Sequence, residues 1–502
     1  MSTTDAAGSI LAETGIPGLD DILGGGLTAN RLYLVEGDPG TGKTTLGLRF
    51  LLTGAARGEP TVYVSLSETR DELEVVAQSH GWSLDGVTIS ELAPSEEALT
   101  ADAENTMFHP SELELGETTR TVLRDVERVK PRRVVFDSLS EMRLLASNPL
   151  RYRRQILALK QFFVGRKCTV MLLDDRTSDV SDLQLQSLAH GVISLERRSP
   201  EYGVMQRRLQ ILKMRGKPFR PGYHDYTIVR GGLSVFPRLV AAEHQEPFEA
   251  ETIKSGLKAL DELMGGGLDR GTSTLLMGPA GSGKSTLATQ YAVAAAARGE
   301  RAAFFLFDEG RMTFQMRSAA LGLDVRGHLE SGRVVISQID PGAISAGEFV
   351  DLVRREVDEQ QARVVVIDSL NGYLNSMPEA RFLAIQLHEL LVFLGQRGVT
   401  TILVVAQHGL IGSMETPVDA SYLADNVVML RFFEAEGRVR QSLSVLKKRS
   451  GAHERTIREL EFGAHGIRIG PPLSAFHGVL TGVPRYVGQP LPDHEHEPDA
   501  SS

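Results

Sequence analysis

The chain has 502 residues, 42% of them hydrophobic and 24% charged, and a formal net charge of −10. That profile is expected of a soluble globular protein with two or three domains, and it argues against a disordered chain. It also argues against a broadly basic surface that coats nucleic acid, though not against a local basic channel.

No apolar run approaches the about 18 residues of a membrane span. The first residues, MSTTDAAGSILAET, lack the basic and apolar regions of a secretory signal. Cys168 is the one cysteine. It cannot form an intrachain disulfide or a thiolate cluster, so it reads as a small core residue in a reducing cytoplasm.

Taken in chain order, the elements repeat. TGIPGLDDILGGGL (14–27) leads into an apolar strand at 31–36 and then GDPGTGKTTL. IKSGLKALDELMGGGL (253–268) leads into a strand at 273–277 and then GPAGSGKSTL. TVYVSLSET (61–69) parallels AAFFLFDEG (302–310), and RRVVFDSLS (132–140) parallels ARVVVIDSL (362–370). LQILKMRGK (209–217) parallels LSVLKKRSG (443–451). The shared order means one duplicated module. Strand runs alternate with helical patterns at 154–163 and 381–393, which predicts α/β modules with mostly parallel sheets.

The expected boundaries are a first ATPase domain over 1–240, a polar linker over 241–251, a second domain over 252–486 and a disordered tail over 487–502. His494 and His496 read as part of that solvated tail rather than a metal site. Glu68 and Asp137 are 69 residues apart, whereas Glu309 and Asp368 are 59 apart. The surplus is placed in 93–116, as a surface loop or a partner-binding loop.

Gly37-Asp38-Pro39-Gly40-Thr41-Gly42-Lys43-Thr44, followed by Thr45, fits the P-loop pattern. So does Gly278-Pro279-Ala280-Gly281-Ser282-Gly283-Lys284-Ser285, followed by Thr286. The glycines let backbone N–H groups curl around phosphate, and the next helix adds its N-terminal dipole. These residues are expected to bind ATP, with Lys43 and Lys284 on the β and γ phosphates. Thr44 and Ser285 are expected to ligate Mg²⁺. Asp137 and Asp368 end apolar strands and are expected to hold the magnesium through water. A turn residue is the alternative.

Glu68 and Glu309 each lie 25 residues after the P-loop lysine. A carboxylate there can orient or deprotonate a nucleophile; the alternative is an acid favoured by a helix dipole. Asp308 precedes Glu309 and is a second candidate base, while Ser67 precedes Glu68. Serine is a poor base, so the two halves are expected to hydrolyse ATP unequally. Lys213 with Arg215, and Lys447 with Arg449, sit late in each module. They are either a solvated strand face or cations offered to a neighbouring subunit's ATP.

These motifs together resemble the KaiC family, tandem RecA-like P-loop ATPases and autokinases of the cyanobacterial circadian clock. The resemblance runs over 15–486. It rests on the GLD…GGG lead-in, both P-loops, SETRDELEVVAQSHGW (67–82), LKMRG (212–216) and LKKRSGAHERTIRE (446–459).

It implies two tandem RecA-like domains in a homo-hexameric double ring with ATP at subunit interfaces. It also implies Lys213, Arg215, Lys447 and Arg449 acting in trans, Glu68 as a hydrolytic residue, and Ser/Thr autophosphorylation in the second ring. A regulatory protein partner is implied too.

The family has Glu-Glu at Ser67-Glu68 and at Asp308-Glu309. Its phosphorylated Ser-Thr pair matches Ser421-Tyr422 here, with Thr416 a third hydroxyl nearby. A tyrosine hydroxyl lies further out than a threonine one and does not meet the same γ-phosphate geometry. Ser421 is then either a phosphosite or an ordinary helix-start hydroxyl.

Two other readings stay open. One is a nucleic-acid motor or recombinase, for which Arg151, Arg153 and Arg154 are the best basic cluster. The other is a nucleotide-gated scaffold without turnover.

Overall fold

The computed structural model describes residues 10–91, 123–146, 149–176, 183–199, 203–375, 380–407, 421–481 and 483–488. The expected loop at 93–116, Thr416, and His494 and His496 lie outside the described residues. The chain divides into two compact units, 1–238 and 239–502.

In the first unit the strands are β1 (Leu32–Gly37), β2 (Thr61–Ser65), β3 (Val87–Glu91), β4 (Arg133–Asp137), β5 (Thr169–Asp175), β6 (Gly191–Arg198), β7 (Gln206–Met214), β8 (Tyr223–Val229) and β9 (Gly232–Phe236). They form one sheet in the order β3-β2-β4-β5-β1-β6-β7-β8-β9. From β3 to β6 the pairing is parallel, and from β6 to β9 it is antiparallel. Strands buried on both faces need continuous apolar runs, and Leu32–Gly37 and Arg133–Asp137 are buried throughout.

The second unit repeats this order. Its strands are β10 (Ser273–Gly278), β11 (Arg301–Leu306), β12 (Val334–Gln338), β13 (Ala362–Asp368), β14 (Thr400–Ala406), β15 (Asn426–Ala435), β16 (Arg438–Lys448), β17 (Arg458–Gly463) and β18 (Gly466–Pro472). The sheet order is β12-β11-β13-β14-β10-β15-β16-β17-β18. Each unit is therefore a RecA-like α/β domain with helices on both faces of a mostly parallel sheet.

Side chains alternate across each sheet into two apolar layers. In the first unit, Tyr33 and Val35 meet helix α1 (Lys43–Ala55) in one layer. Leu32 and Leu34 meet helix α3 (Pro149–Gly165) in the other. Between these helices in chain order stands α2 (Arg70–Ser79). In the second unit the matching helices are α4 (Lys284–Ala297), α5 (Arg311–Ala320) and α6 (Ala380–Gln396).

The segment expected as a linker starts inside the second unit. Leu239 and Ala241 are apolar and lie in that unit's core, and the Ala241 N–H donates to Glu389 Oε2 at 3.3 Å. Among the described residues no helix is long and apolar enough to cross a membrane.

Candidate active sites

In each unit the phosphate-loop sequence bridges the central strand and the following helix. Gly42 caps α1 with φ +91°, and Gly283 caps α4 with φ +98°. These are left-handed conformations that glycine adopts without strain. The space is closed as well. A Cβ on Gly42 would lie 2.7 Å from Ile228 Cδ1, and one on Gly283 would lie 1.9 Å from Phe462 Cζ. The Tyr226 hydroxyl donates to the Thr41 carbonyl at 2.7 Å, pinning the first loop to β8.

The loop lysines are buried and turned onto their own loops. Lys43 Nζ donates to the carbonyls of Gly37 at 2.7 Å and Asp38 at 3.0 Å. It also pairs with Asp175 Oδ1 at 2.7 Å. Lys284 Nζ donates to the Pro279 carbonyl at 2.6 Å. Burial pushes Lys284 down to about 8, and the nearby Asp368 opposes that shift.

Beside each lysine stands a hydroxyl against a strand-end aspartate. Thr44 Oγ1 donates to Asp137 Oδ2 at 3.0 Å, and the Tyr63 hydroxyl donates to the same oxygen. In the second unit the Ser285 hydroxyl stands beside Asp368 and lowers its carboxyl. Burial holds both aspartates above the usual carboxylate range, and these hydroxyls oppose it. One hydroxyl and one carboxylate side by side are oxygen donors of the type Mg²⁺ takes, with water and phosphate completing the shell. Among the described residues no group of three His, Cys, Asp or Glu forms a protein-only metal cage.

The two glutamates share a position and differ in surroundings. Glu68 precedes α2, whose first turn is closed by a Thr69–Glu72 capping box. Its backbone N–H donates to Ser65 Oγ at 3.0 Å, which fixes the turn. Its Oε2 is buried and has no hydrogen-bond partner among the described residues. Burial, then Asp137, Glu72 and Asp175, push Glu68 up to about 7. In contrast, Glu309 is gripped by Arg317, with Nε to Oε1 at 3.1 Å and Nη2 to Oε2 at 2.8 Å. Asp308 accepts a hydrogen bond from Ser369, while Ser67 is exposed.

Lys213, Arg215, Lys447 and Arg449 are not brought to the loop of their own unit. Lys213 pairs in register with Val192, which pairs with Leu34, three residues ahead of Gly37. Lys447 pairs with Val427, which pairs with Leu275, three residues ahead of Gly278. Both lysines thus sit toward the opposite end of the sheet from the loop. Lys213 Nζ donates to the Gln186 carbonyl at 2.7 Å, and Arg215 donates to the Ser187 carbonyl at 2.9 Å. Lys447 Nζ donates to the carbonyls of Ser421 at 2.9 Å and Ala424 at 2.7 Å. Arg449 Nη2 donates to the Tyr422 carbonyl at 3.2 Å.

Two residues at these sites escaped the sequence reading, Asp175 and Arg317. The run LLDD at the end of β5 was the available signal for Asp175. Arg317 is one arginine among many on helix faces and carried no signal of its own.

The family model described as the KaiC ATPase matches residues 12–240 and 253–474. The chain is 26% identical over 488 residues to the circadian clock protein KaiC3 of Synechocystis, covering 95% of each. It is 26% identical to the circadian clock oscillator protein KaiC of Acaryochloris marina, covering 94% of this chain and 91% of that one. For the KaiC of Synechococcus elongatus the identity is 24%, over 94% of this chain and 91% of the relative. With the family model matching both halves and the same sheet order built twice, this chain belongs to the KaiC family of ATPases.

Proposed function

We propose that this protein binds Mg²⁺-ATP in both units and hydrolyses it as a homo-hexameric double ring in the cytoplasm. In this reading the second unit also transfers a phosphoryl group to Ser421, and a regulatory protein partner reads the resulting state. The observation that carries the reading is the repeated set around each loop. In both units a buried lysine, a hydroxyl against a strand-end aspartate, and a glutamate 25 residues beyond the lysine share one end of one sheet.

In the first unit Lys43 exchanges its loop carbonyls for phosphate oxygens. Glu68 takes a proton from water, whose oxygen attacks the γ-phosphorus as the bond to the β-phosphate oxygen breaks, giving ADP and phosphate. Magnesium, when bound beside Thr44 and Asp137 or Ser285 and Asp368, supplies neutralisation of phosphate charge. The far-end positions of Lys213, Arg215, Lys447 and Arg449 support action on a neighbour's nucleotide, as does the exposure of Tyr422 beside Arg449. The relatives are circadian clock proteins, which supports a signalling use.

The test is peptide mass spectrometry after incubation with Mg²⁺-ATP, with Lys284→Ala as control and sedimentation velocity alongside. Phosphate on Ser421 or Thr416 that vanishes in Lys284→Ala, on a species of hexamer mass, is expected. ADP formation without any phosphopeptide removes the kinase part. A monomer that turns over ATP removes the ring. Turnover that requires DNA would replace the whole reading with a nucleic-acid motor.

A further inference from the structure

Glu68 and Glu309 stand the same number of residues beyond their P-loop lysines, yet among the described residues an arginine holds only the second. Arg317 lies on α5, eight residues past Glu309; eight residues past Glu68 stands Val76, packed against the first unit's core. Long helical side chains lean toward the helix N-terminus, which lets Arg317 reach back to the residue just ahead of α5. Both guanidinium contacts to Glu309 fall within hydrogen-bond range. The same guanidinium donates through Nη1 to Thr286 Oγ1 at 3.2 Å, in the first turn of α4. Phe314 lies under it, its ring centroid 5.1 Å from the guanidinium carbon. Arg317 is therefore fixed on three sides, and it fixes both oxygens of Glu309.

We propose that Arg317 is a positioning residue that withholds Glu309 from water activation, so that the second unit hydrolyses ATP poorly and keeps its γ-phosphate for transfer to a hydroxyl. The inference rests on the reading of Glu68 and Glu309 as water-activating carboxylates. A bidentate guanidinium sets the plane and direction of a carboxylate, and Glu309 is thereby aimed along α5 toward Arg317. Glu68, with one buried oxygen unpartnered among the described residues, carries no such constraint. Asp308, bonded to Ser369 rather than to Arg317, remains the carboxylate free of the clamp.

The experiment uses the full chain with the first P-loop silenced by Lys43→Ala, so that ADP formation reports the second unit. Arg317→Val installs the residue of the first unit, and Arg317→Lys is the conservative variant. The double Lys43→Ala, Lys284→Ala chain gives the background, and fluorescent ATP-analogue binding and circular dichroism accompany each rate.

Arg317→Val is expected to raise kcat about tenfold, with KM for ATP within about twofold of the parent. Arg317→Lys is expected to stay near the parent. An unchanged or lower kcat in folded Arg317→Val that still binds the analogue overturns the proposal. So does a change confined to KM, which would make Arg317 a support for the loop through Thr286. Should Arg317→Val not fold, Arg317→Met is read by the same criteria. Failure of the Lys43→Ala parent to bind the analogue at all would instead sink the nucleotide-site reading of the second unit.

Discussion

Asp175 Oδ1 lies 2.7 Å from Lys43 Nζ, and the residue holding Asp175's place beside the second P-loop is Ala406. The first unit therefore ion-pairs its P-loop lysine with a carboxylate at this register position, where the second unit has an alanine. A fixed negative charge at that point opposes an incoming polyphosphate and competes for the lysine. Asp175→Ala, in a chain with Lys284→Ala, is expected to lower the KM of the first unit for ATP about threefold to tenfold. An unchanged or higher KM would show that Asp175 helps to seat the nucleotide. The same substitution removes one of the charges that raise Glu68, so the acid side of the rate profile should move to lower pH.

Glu68 sets a pH dependence whose sign is fixed. Its carboxyl is shifted from an ordinary 4.5 up to about 7. A base must be ionised, so first-unit hydrolysis should fall about tenfold per pH unit below 7 and level off above it. Glu68→Gln should cost about 100-fold in kcat and abolish that limb. Stability carries the opposite sign. Between about 4.5 and 7 the folded state holds a proton that the unfolded state has lost, so folding weakens as pH rises through that window. Glu68→Gln should accordingly raise the melting temperature at pH 8, read by differential scanning fluorimetry.

Alanine at the two loop-closing glycines should have unequal effects. At Gly42 the new methyl meets the end of Ile228, which can turn away. At Gly283 it meets the ring of Phe462, and φ is +98°. Gly283→Ala should abolish nucleotide binding in the second unit, and Gly42→Ala should weaken the first by about 10-fold to 100-fold, since strain at such a φ costs about 1–3 kcal/mol. Binding of a fluorescent ATP analogue distinguishes them. Adding Phe462→Ala to Gly283→Ala should recover only part of the loss, because the backbone strain remains.

A fourth prediction concerns stability alone. Arg431 is 8% exposed, burial holds it below the usual arginine range, and its Nε and Nη1 have no hydrogen-bond partner among the described residues. The first unit has Glu196 at this place, paired with Arg208 at 2.8 Å. A buried charge without a partner favours the unfolded state. Arg431→Met should raise the melting temperature of the second unit by about 2–4 °C. A lower melting temperature would mean that the guanidinium has an anionic partner in solution.

The P-loops were legible because they are contiguous strings, and their surroundings were legible because the same string recurs between a strand and a helix. Asp137 and Asp368 stood out because continuous apolar runs end on them, and the mostly parallel pairing follows from alternating strands and helices, although the strand order does not. The glutamates were found by a spacing shared between the repeats. The partners of Asp175 and Arg317 were not legible, for a common reason. Asp175 meets Lys43 across a strand pairing, β1 against β5, whose register no local pattern states. Arg317 meets Glu309 only through the reach of one long side chain. Nor did the sequence show that the segment after Val240 is anchored, since the burial of Ala241 depends on the core it joins.

The two loops are nearly copies in backbone, each closed by a left-handed glycine at the head of its helix. The charge differences lie outside the loop backbone, in Asp175 against Ala406 and in Val76 against Arg317. An inhibitor that recognises phosphate-loop geometry alone will strike both halves with similar strength. A selective one has to extend sideways: a cationic arm would find Asp175 in the first half, and an anionic arm would find Arg317 in the second. The chemical difference between the halves is thus an address that synthetic ligands can read, and it makes each half separately silenceable in an otherwise intact protein.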